Sequence, residues 1–367
     1  MSTFAYHRWP RAGKWAVAPT KPLRTQNHLS LAYTPEVAKV CHALVEDSSL
    51  AKTYTTLANT VAVISNGTAV LGLGDIGPLA GKPVMEGKAA LFKTFGDVDA
   101  MDINIQEKDP QKFVDIVASF AESSFGGINL EDIRAPECFF IETELQKRLK
   151  IPVFHDDQHG TAVVLAAAVL NGIELVKKSL STMRCVTIGA GAAGLASLNL
   201  LVEMGLRHEN IFLFDGKGLI HQQREGLSTY KQPFAQPQAC TLAQALKGAD
   251  LFIGVSAANV LDAEDLKDMA ENPLIFAMAN PIPEVNIEKA KVARPDGIFA
   301  TGRSDYPNQI NNLLCFPYLF RGALDVNAQW IHPSMLKACA QAVARMAQDD
   351  VPSDVCRAYG VDNLSFG

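Results

Sequence analysis

A chain of 367 residues, 48% hydrophobic and 20% charged, has an ordinary globular composition with room for two or three domains. Its net charge of −6 argues against a nucleic-acid partner, because phosphate binding wants a basic face. Seven cysteines, an odd number without a CxxC pair, argue against a disulfide framework or thiolate zinc site; with no apolar signal-peptide core in MSTFAYHRWPRAGKW, a cytoplasmic protein is expected.

Residues 1–27, rich in proline, lysine and arginine, read as an extended arm. A helical pattern follows over about 35–57, then three apolar runs separated by turn signals: 61–65, 69–74 and 101–105. Asp109-Pro110 is a helix start, a capping side chain followed by proline at the first helical position. Short strand-like runs at 126–129 and 151–154 flank a helical stretch at 136–149. The apolar segment 160–176 is short for a membrane span and broken by Asn171 and Gly172, so a buried helix is expected and no membrane partner. From about 182, strand candidates at 185–191, 211–215, 251–256, 275–280 and 298–302 alternate with helical stretches, the pattern of a parallel sheet covered on both faces. Residues 217–238 read as a loop and 309–347 as helical. The expected architecture is α/β, an N-terminal α/β domain over 1–158 and a Rossmann-like dinucleotide-binding domain over 159–367 with C-terminal helices.

The pattern GxGxxG occurs twice. The second copy, Gly189-Ala190-Gly191-Ala192-Ala193-Gly194, follows an apolar strand and opens a helical run, which suits a pyrophosphate at a helix N-terminus. Asp215, ending the next strand, favours the ribose hydroxyls of NAD, whereas Lys217, His221 and Arg224 suit the extra phosphate of NADP; the choice stays open here. In the first copy, Gly72, Gly74 and Gly77 are followed by Pro78, Gly81 and Pro83, so no continuous helix is expected to grow from that turn.

Glu131 and Asp132 follow one strand candidate, and Asp156 and Asp157 follow another. Strand C-terminal ends of a parallel sheet share one edge, where such carboxylates suit Mg2+ or Mn2+, although acidic residues there also serve as helix caps. His155 and His159 read as structural histidines. A metal beside a nicotinamide dinucleotide implies oxidation of a hydroxy acid, with an enolate to stabilise if CO2 leaves.

The segments at 20–38, 64–88 (ending VMEGK), 125–139 (FGGINLEDIRAPECF), 152–162 (PVFHDDQHGTA), 187–196, 276–284 and 301–312 resemble those of malic enzymes, notably the bacterial class with a compact malic domain. The resemblance implies oxidation and decarboxylation of malate to pyruvate with NADP or NAD. It makes Tyr33 the acid that protonates the enolate, Lys88 the base and Asp156 its partner. It makes Glu131, Asp132 and Asp157 the metal ligands, Asn280, Asn311 and Asn312 contacts to malate, and Asn280 also a nicotinamide contact. It further implies a homodimer or higher homo-oligomer, reached by the N-terminal arm, and a phosphotransacetylase-like regulatory domain beyond Ser365-Phe366-Gly367 in some relatives. Ala69 stands where many larger relatives carry a substrate-binding arginine, leaving Ser65, Asn66 or a backbone N–H as substitutes, and Glu36 replaces a usual glycine. A malolactic enzyme, or a sensing module without catalysis, are the alternatives.

Overall fold

A computed structural model describes residues 2–70 and 72–362; the chain end at 365–367 lies outside them. The first 54 residues hold α1 (Thr3–Arg8), α2 (Gln26–Ala32), α3 (Val37–Glu46) and α4 (Ala51–Tyr54), none of which buries a residue, so the arm expected to be extended over 1–27 instead begins with a short helix.

The first sheet is four-stranded, all parallel, in the order β2-β1-β3-β4. Its strands are β1 (Thr60–Ser65), β2 (Asp99–Asn104), β3 (Gly127–Leu130) and β4 (Val153–His155). Helices on both faces explain why β1 and β3 are buried along their whole length instead of alternating. Those helices include α5 (Gly77–Gly96), α6 (Pro110–Ser124) and α7 (Glu137–Arg148). Asp109 caps α6, its side chain accepting the Lys112 N–H at 2.8 Å.

The described residues of the apolar run 69–74 form no strand, Val70 joining Gly74 only in an isolated bridge; Leu71 lies outside the described residues. One expectation fails here. A continuous helix does grow from the first glycine turn. Pro78 falls in the first turn of α5, where its missing N–H has no partner to lose. Pro83 sits inside the helix, and the burial of Met85, Ala89 and Phe92 against the sheet outweighs its local cost of about 3 kcal/mol.

Beyond β4, a five-residue π turn (Asp156–Gly160) leads into α8 (Thr161–Val176). That helix is apolar and packs on α9 (Ala192–Glu203) and α13 (Pro333–Gln348), as a core helix does. The second sheet has six strands in the order β10-β9-β8-β5-β6-β7. They are β5 (Cys185–Ile188), β6 (Ile211–Asp215), β7 (Gly218–Leu219), β8 (Leu251–Gly254), β9 (Leu274–Ala277) and β10 (Ile298–Thr301). Only β7 runs antiparallel. The order reverses at β5, the switch point where dinucleotides bind such sheets. Short helices α10 (Leu242–Leu246) and α11 (Ile287–Ala293) cover this half.

The stretch 309–347 divides into a 3-10 turn at Asn312–Leu314, α12 (Phe316–Asp325) and α13, with α14 (Ser353–Tyr359) beyond. Although α12 follows the second sheet in sequence, it returns to the first. Phe316 and Phe320 meet Phe92 of α5 at ring distances of 4.8 and 5.3 Å, and Phe320 meets Phe154 of β4 at 5.8 Å.

Candidate active site

The acidic residues meet at the C-terminal edge of the first sheet. Glu131 and Asp132 leave β3, Asp156 and Asp157 leave β4, and these strands are direct neighbours. Carboxylate oxygens of Glu131, Asp132 and Asp157 lie within 4.8 Å of one another. The Asn129 amide donates to Glu131 at 2.9 Å, and the Asp132 N–H donates to Asp157 at 2.7 Å. Asp132 holds a left-handed φ of 53° while its carbonyl accepts the Thr68 and Ala69 N–H groups at 3.1 and 3.0 Å. Such backbone strain is typical of functional sites.

Lys88, buried on α5, lies 2.5 Å from Asp156 and 3.0 Å from Glu131, with its ammonium 4.1 Å from the Phe316 ring centre. Asn312 donates its amide to the same Asp156 oxygen. Gly160 gives Asp156 its place: a Cβ there would stand 1.8 Å from the carboxylate. Burial raises the Asp156 carboxyl to about 7 and lifts Glu131 and Asp157 above the usual carboxylate range. Burial also opposes the charge on Lys88, but Asp156 and Glu131 outweigh it and raise its pKa. A divalent cation fits this excess of negative charge, with hard oxygen donors converging from three side chains.

The two histidines divide. Burial drives His155 down to about 4, a neutral ring. For His159, burial is outweighed by Glu142, whose carboxylate lies 3.0 Å away, and its pKa is raised.

At the second sheet, the loop Gly189–Gly194 lies at the switch point after β5, and Ala192 and Ala193 open α9 with their N–H groups at its N-terminus. Nothing stands near Gly191, whereas a Cβ on Gly194 would lie 1.8 Å from the Gly189 carbonyl oxygen. Asp215 is already engaged. Arg224 donates to its two oxygens at 2.9 and 3.1 Å, Lys231 at 2.8 Å and the Lys217 N–H at 2.9 Å. Burial opposes the Asp215 charge, but Arg224 and Lys231 hold its carboxyl well below the usual range. The Lys217 side chain itself is exposed.

Asn280 precedes a cis proline, and its carbonyl oxygen lies 2.5 Å from where a Gly72 Cβ would stand, so the first glycine loop touches the second half of the chain. Asn311 serves as a cap, its side-chain oxygen accepting the Leu313 N–H at 2.9 Å. Ser65 and Asn66 are committed within their loop, to the Gly67 N–H, the Thr68 hydroxyl and the Glu107 carbonyl. Glu36 pairs with Lys39 on α3.

Among the described residues no contact joins Tyr33 to this cluster. It ends α2 with 76% exposure, and among the described residues its only hydrogen bond is the backbone one to Leu29. Sequence reading also missed Asn129, Lys231, Glu142 and Glu284. Glu284 accepts the Ser256 and Ala279 N–H groups at 2.8 and 2.9 Å, tying together the loops after β8 and β9. The one legible signal was Lys231, a cation in the loop after Asp215.

Residues 12–146 match the family model for the malic enzyme N-terminal domain, and residues 158–357 match that for the malic enzyme NAD binding domain. The NADP-dependent malic enzyme of Escherichia coli is 53% identical over 369 residues, covering 100% of this chain and 48% of that protein. The NAD-dependent malic enzyme of Rhizobium meliloti is 53% identical, covering 99% and 47%. The chain thus spans about half the length of these curated relatives. The crystal structure of the NAD-dependent malic enzyme of Thermotoga maritima superimposes with a TM-score of 0.89 at 45% identity, over 94% of this chain and 92% of that one.

Proposed function

The chain belongs to the malic enzyme family, and from that premise we propose that it oxidises and decarboxylates malate to pyruvate and CO2, reducing NADP and using Mg2+ or Mn2+. The observation that carries the reading is Lys88, a buried amine held between Asp156 and Glu131 beside three converging carboxylates.

Glu131, Asp132 and Asp157 would hold the metal, which when bound supplies Lewis acidity to the substrate's hydroxyl oxygen. Filling that site would offset Glu131 and Asp157, part of the field that keeps Lys88 protonated, and place a positive charge beside it; both changes lower its pKa against the remaining pull of Asp156, and the neutral amine is the base for the hydroxyl proton. Asp156, braced by Asn312, keeps the lysine aimed. Ala192 and Ala193 offer their N–H groups to the dinucleotide's phosphates. Arg224 and Lys231 neutralise Asp215 and stand ready for a 2′-phosphate, which favours NADP over NAD.

Tyr33 gives a proton to the carbon that CO2 leaves, and it does so from a second copy of the chain. The exposure of Tyr33 and the absence of any buried residue in α1–α4 support a homodimer in which the arm crosses to its neighbour. The free cysteines fit a reducing cytoplasm.

Purified protein with malate, Mn2+ and NADP should yield NADPH and pyruvate; lactate without net NADPH would mark a malolactic enzyme, and no turnover with either dinucleotide would sink the reading. Mixing inactive Tyr33→Phe with inactive Lys88→Ala should restore up to about a quarter of parental activity through mixed dimers, by random pairing. A mixture as inactive as its parts refutes the crossed arm.

A further inference from the structure

Glu142 lies on the buried face of α7 with 6% exposure. Burying a carboxylate is costly unless its oxygens are fully used. Here Oε1 accepts the His155 N–H at 3.0 Å, and Oε2 accepts the Gln158 amide at 3.0 Å. His159 Nε2 completes the set at 3.0 Å. No lysine or arginine pairs with Glu142 among the described residues, so every partner comes from the segment 155–159.

That segment carries Asp156 and Asp157 between its two ends. These are adjacent acids with different tasks: Asp156 lies on Lys88, and Asp157 lies with Glu131 and Asp132. Left alone, two neighbouring carboxylates, Asp156 buried and Asp157 half-buried, would repel and turn apart. The turn that separates them is a single π turn, a geometry with little support of its own. Glu142 grips it on both sides of the pair.

We infer that Glu142 is a positioning residue, fixing the 155–159 turn at three points so that Asp157 stays in the metal set and Asp156 stays on the lysine. The inference rests on Glu131, Asp132 and Asp157 being the metal site, and its test separates the two. A buried carboxylate that merely knitted α7 to β4 would affect stability and leave metal affinity alone.

The probe is Mn2+, titrated into the full chain without nucleotide and followed by electron paramagnetic resonance, with steady-state kinetics alongside. Glu142→Gln keeps the volume but points an N–H2 at the existing donors. It should weaken Mn2+ binding about 10- to 100-fold and lower malate turnover, with the KM for NADP unchanged. His159→Leu should weaken Mn2+ binding likewise, and His159→Gln, which still donates to Glu142, should restore it to within about threefold. If Glu142→Gln fails to fold, the two His159 variants decide the matter. Parental Mn2+ affinity in Glu142→Gln overturns the positioning role, as does an equal loss of Mn2+ and NADP binding, which would report general loosening. Asp157→Asn is the control: Mn2+ binding that survives it, or that the parent lacks, removes the metal site and this inference with it.

Discussion

The two glycine-rich turns share a spacing, and each opens a helix, yet they use their glycines differently. In the first, Gly72, Gly74 and Gly77 all take positive φ, between 74° and 79°, and the turn folds back on itself until Gly72 reaches the Asn280 carbonyl. In the second, only Gly189 does so, and Gly194 is needed because its missing Cβ lets the helix start against the Gly189 carbonyl. The first turn therefore delivers a side chain, Lys88, at the middle of α5. The second delivers bare N–H groups at the start of α9. A shared pattern of glycines marks sharp backbone and leaves open what that backbone presents.

Substitutions can break this contrast. Lys88→Met should have the largest effect, lowering kcat about 10³-fold with NADP binding and Mn2+ binding retained, since it removes a base and no ligand of either. Gly194→Ala comes next: the helix start must shift, and the KM for NADP should rise about 100-fold while Mn2+ binding persists. An unchanged KM would mean the dinucleotide binds elsewhere. Gly72→Ala should cost about tenfold in kcat/KM for malate, with NADP affinity kept, because its Cβ would press on the Asn280 loop. Gly74→Ala meets no atom within 4 Å, so only its φ of 76° matters. A Tm drop of roughly 2–4 °C with parental kinetics is expected; altered kinetics would give that position a role beyond strain.

The smallest effect concerns pH. The Asp215 carboxyl is depressed in the folded protein by Arg224 and Lys231, against the cost of its burial. Its stabilisation is thus present above the unfolded value of about 4 and is lost as pH falls toward the lower folded value. The Tm difference between the parent and Asp215→Asn should be flat from neutral pH to about 5 and shrink below about 4. A difference that grew on acidification would contradict the ion-pair account.

Most of the fold was legible, because the strands around the site are buried on both faces and read as unbroken apolar runs, such as Thr60–Ser65 and Leu251–Gly254. The helix α5 was not, since Pro78 and Pro83 argue locally against it and only packing on the sheet overrides them. The acidic pairs were legible from their place after two strands, and the parallel pairing of β3 and β4 brings them together. Their division of labour came from the family resemblance. Glu142 and Glu284 were not legible, because a buried carboxylate in a helix or loop looks like any solvated one until its donors are located. Tyr33 was legible as a residue and illegible as a position, since it lies 76% exposed at the end of α2 and, among the described residues, only its backbone is hydrogen-bonded.

The π turn at Asp156–Gly160 has a consequence for how this chain tolerates changes in length. Deleting one residue there would rewind the turn as ordinary helix, in which successive side chains stand about 100° apart. The spacing that sets Gly160 against Asp156 would be lost, and with it the present directions of Asp156 and Asp157. The exposed residues 349–350, between α13 and α14, can gain or lose a residue at the modest cost of a longer or shorter loop. Between β4 and α8 the number of residues is itself part of the active site, so a reading frame that stays intact but is one codon short should give a folded protein without catalysis.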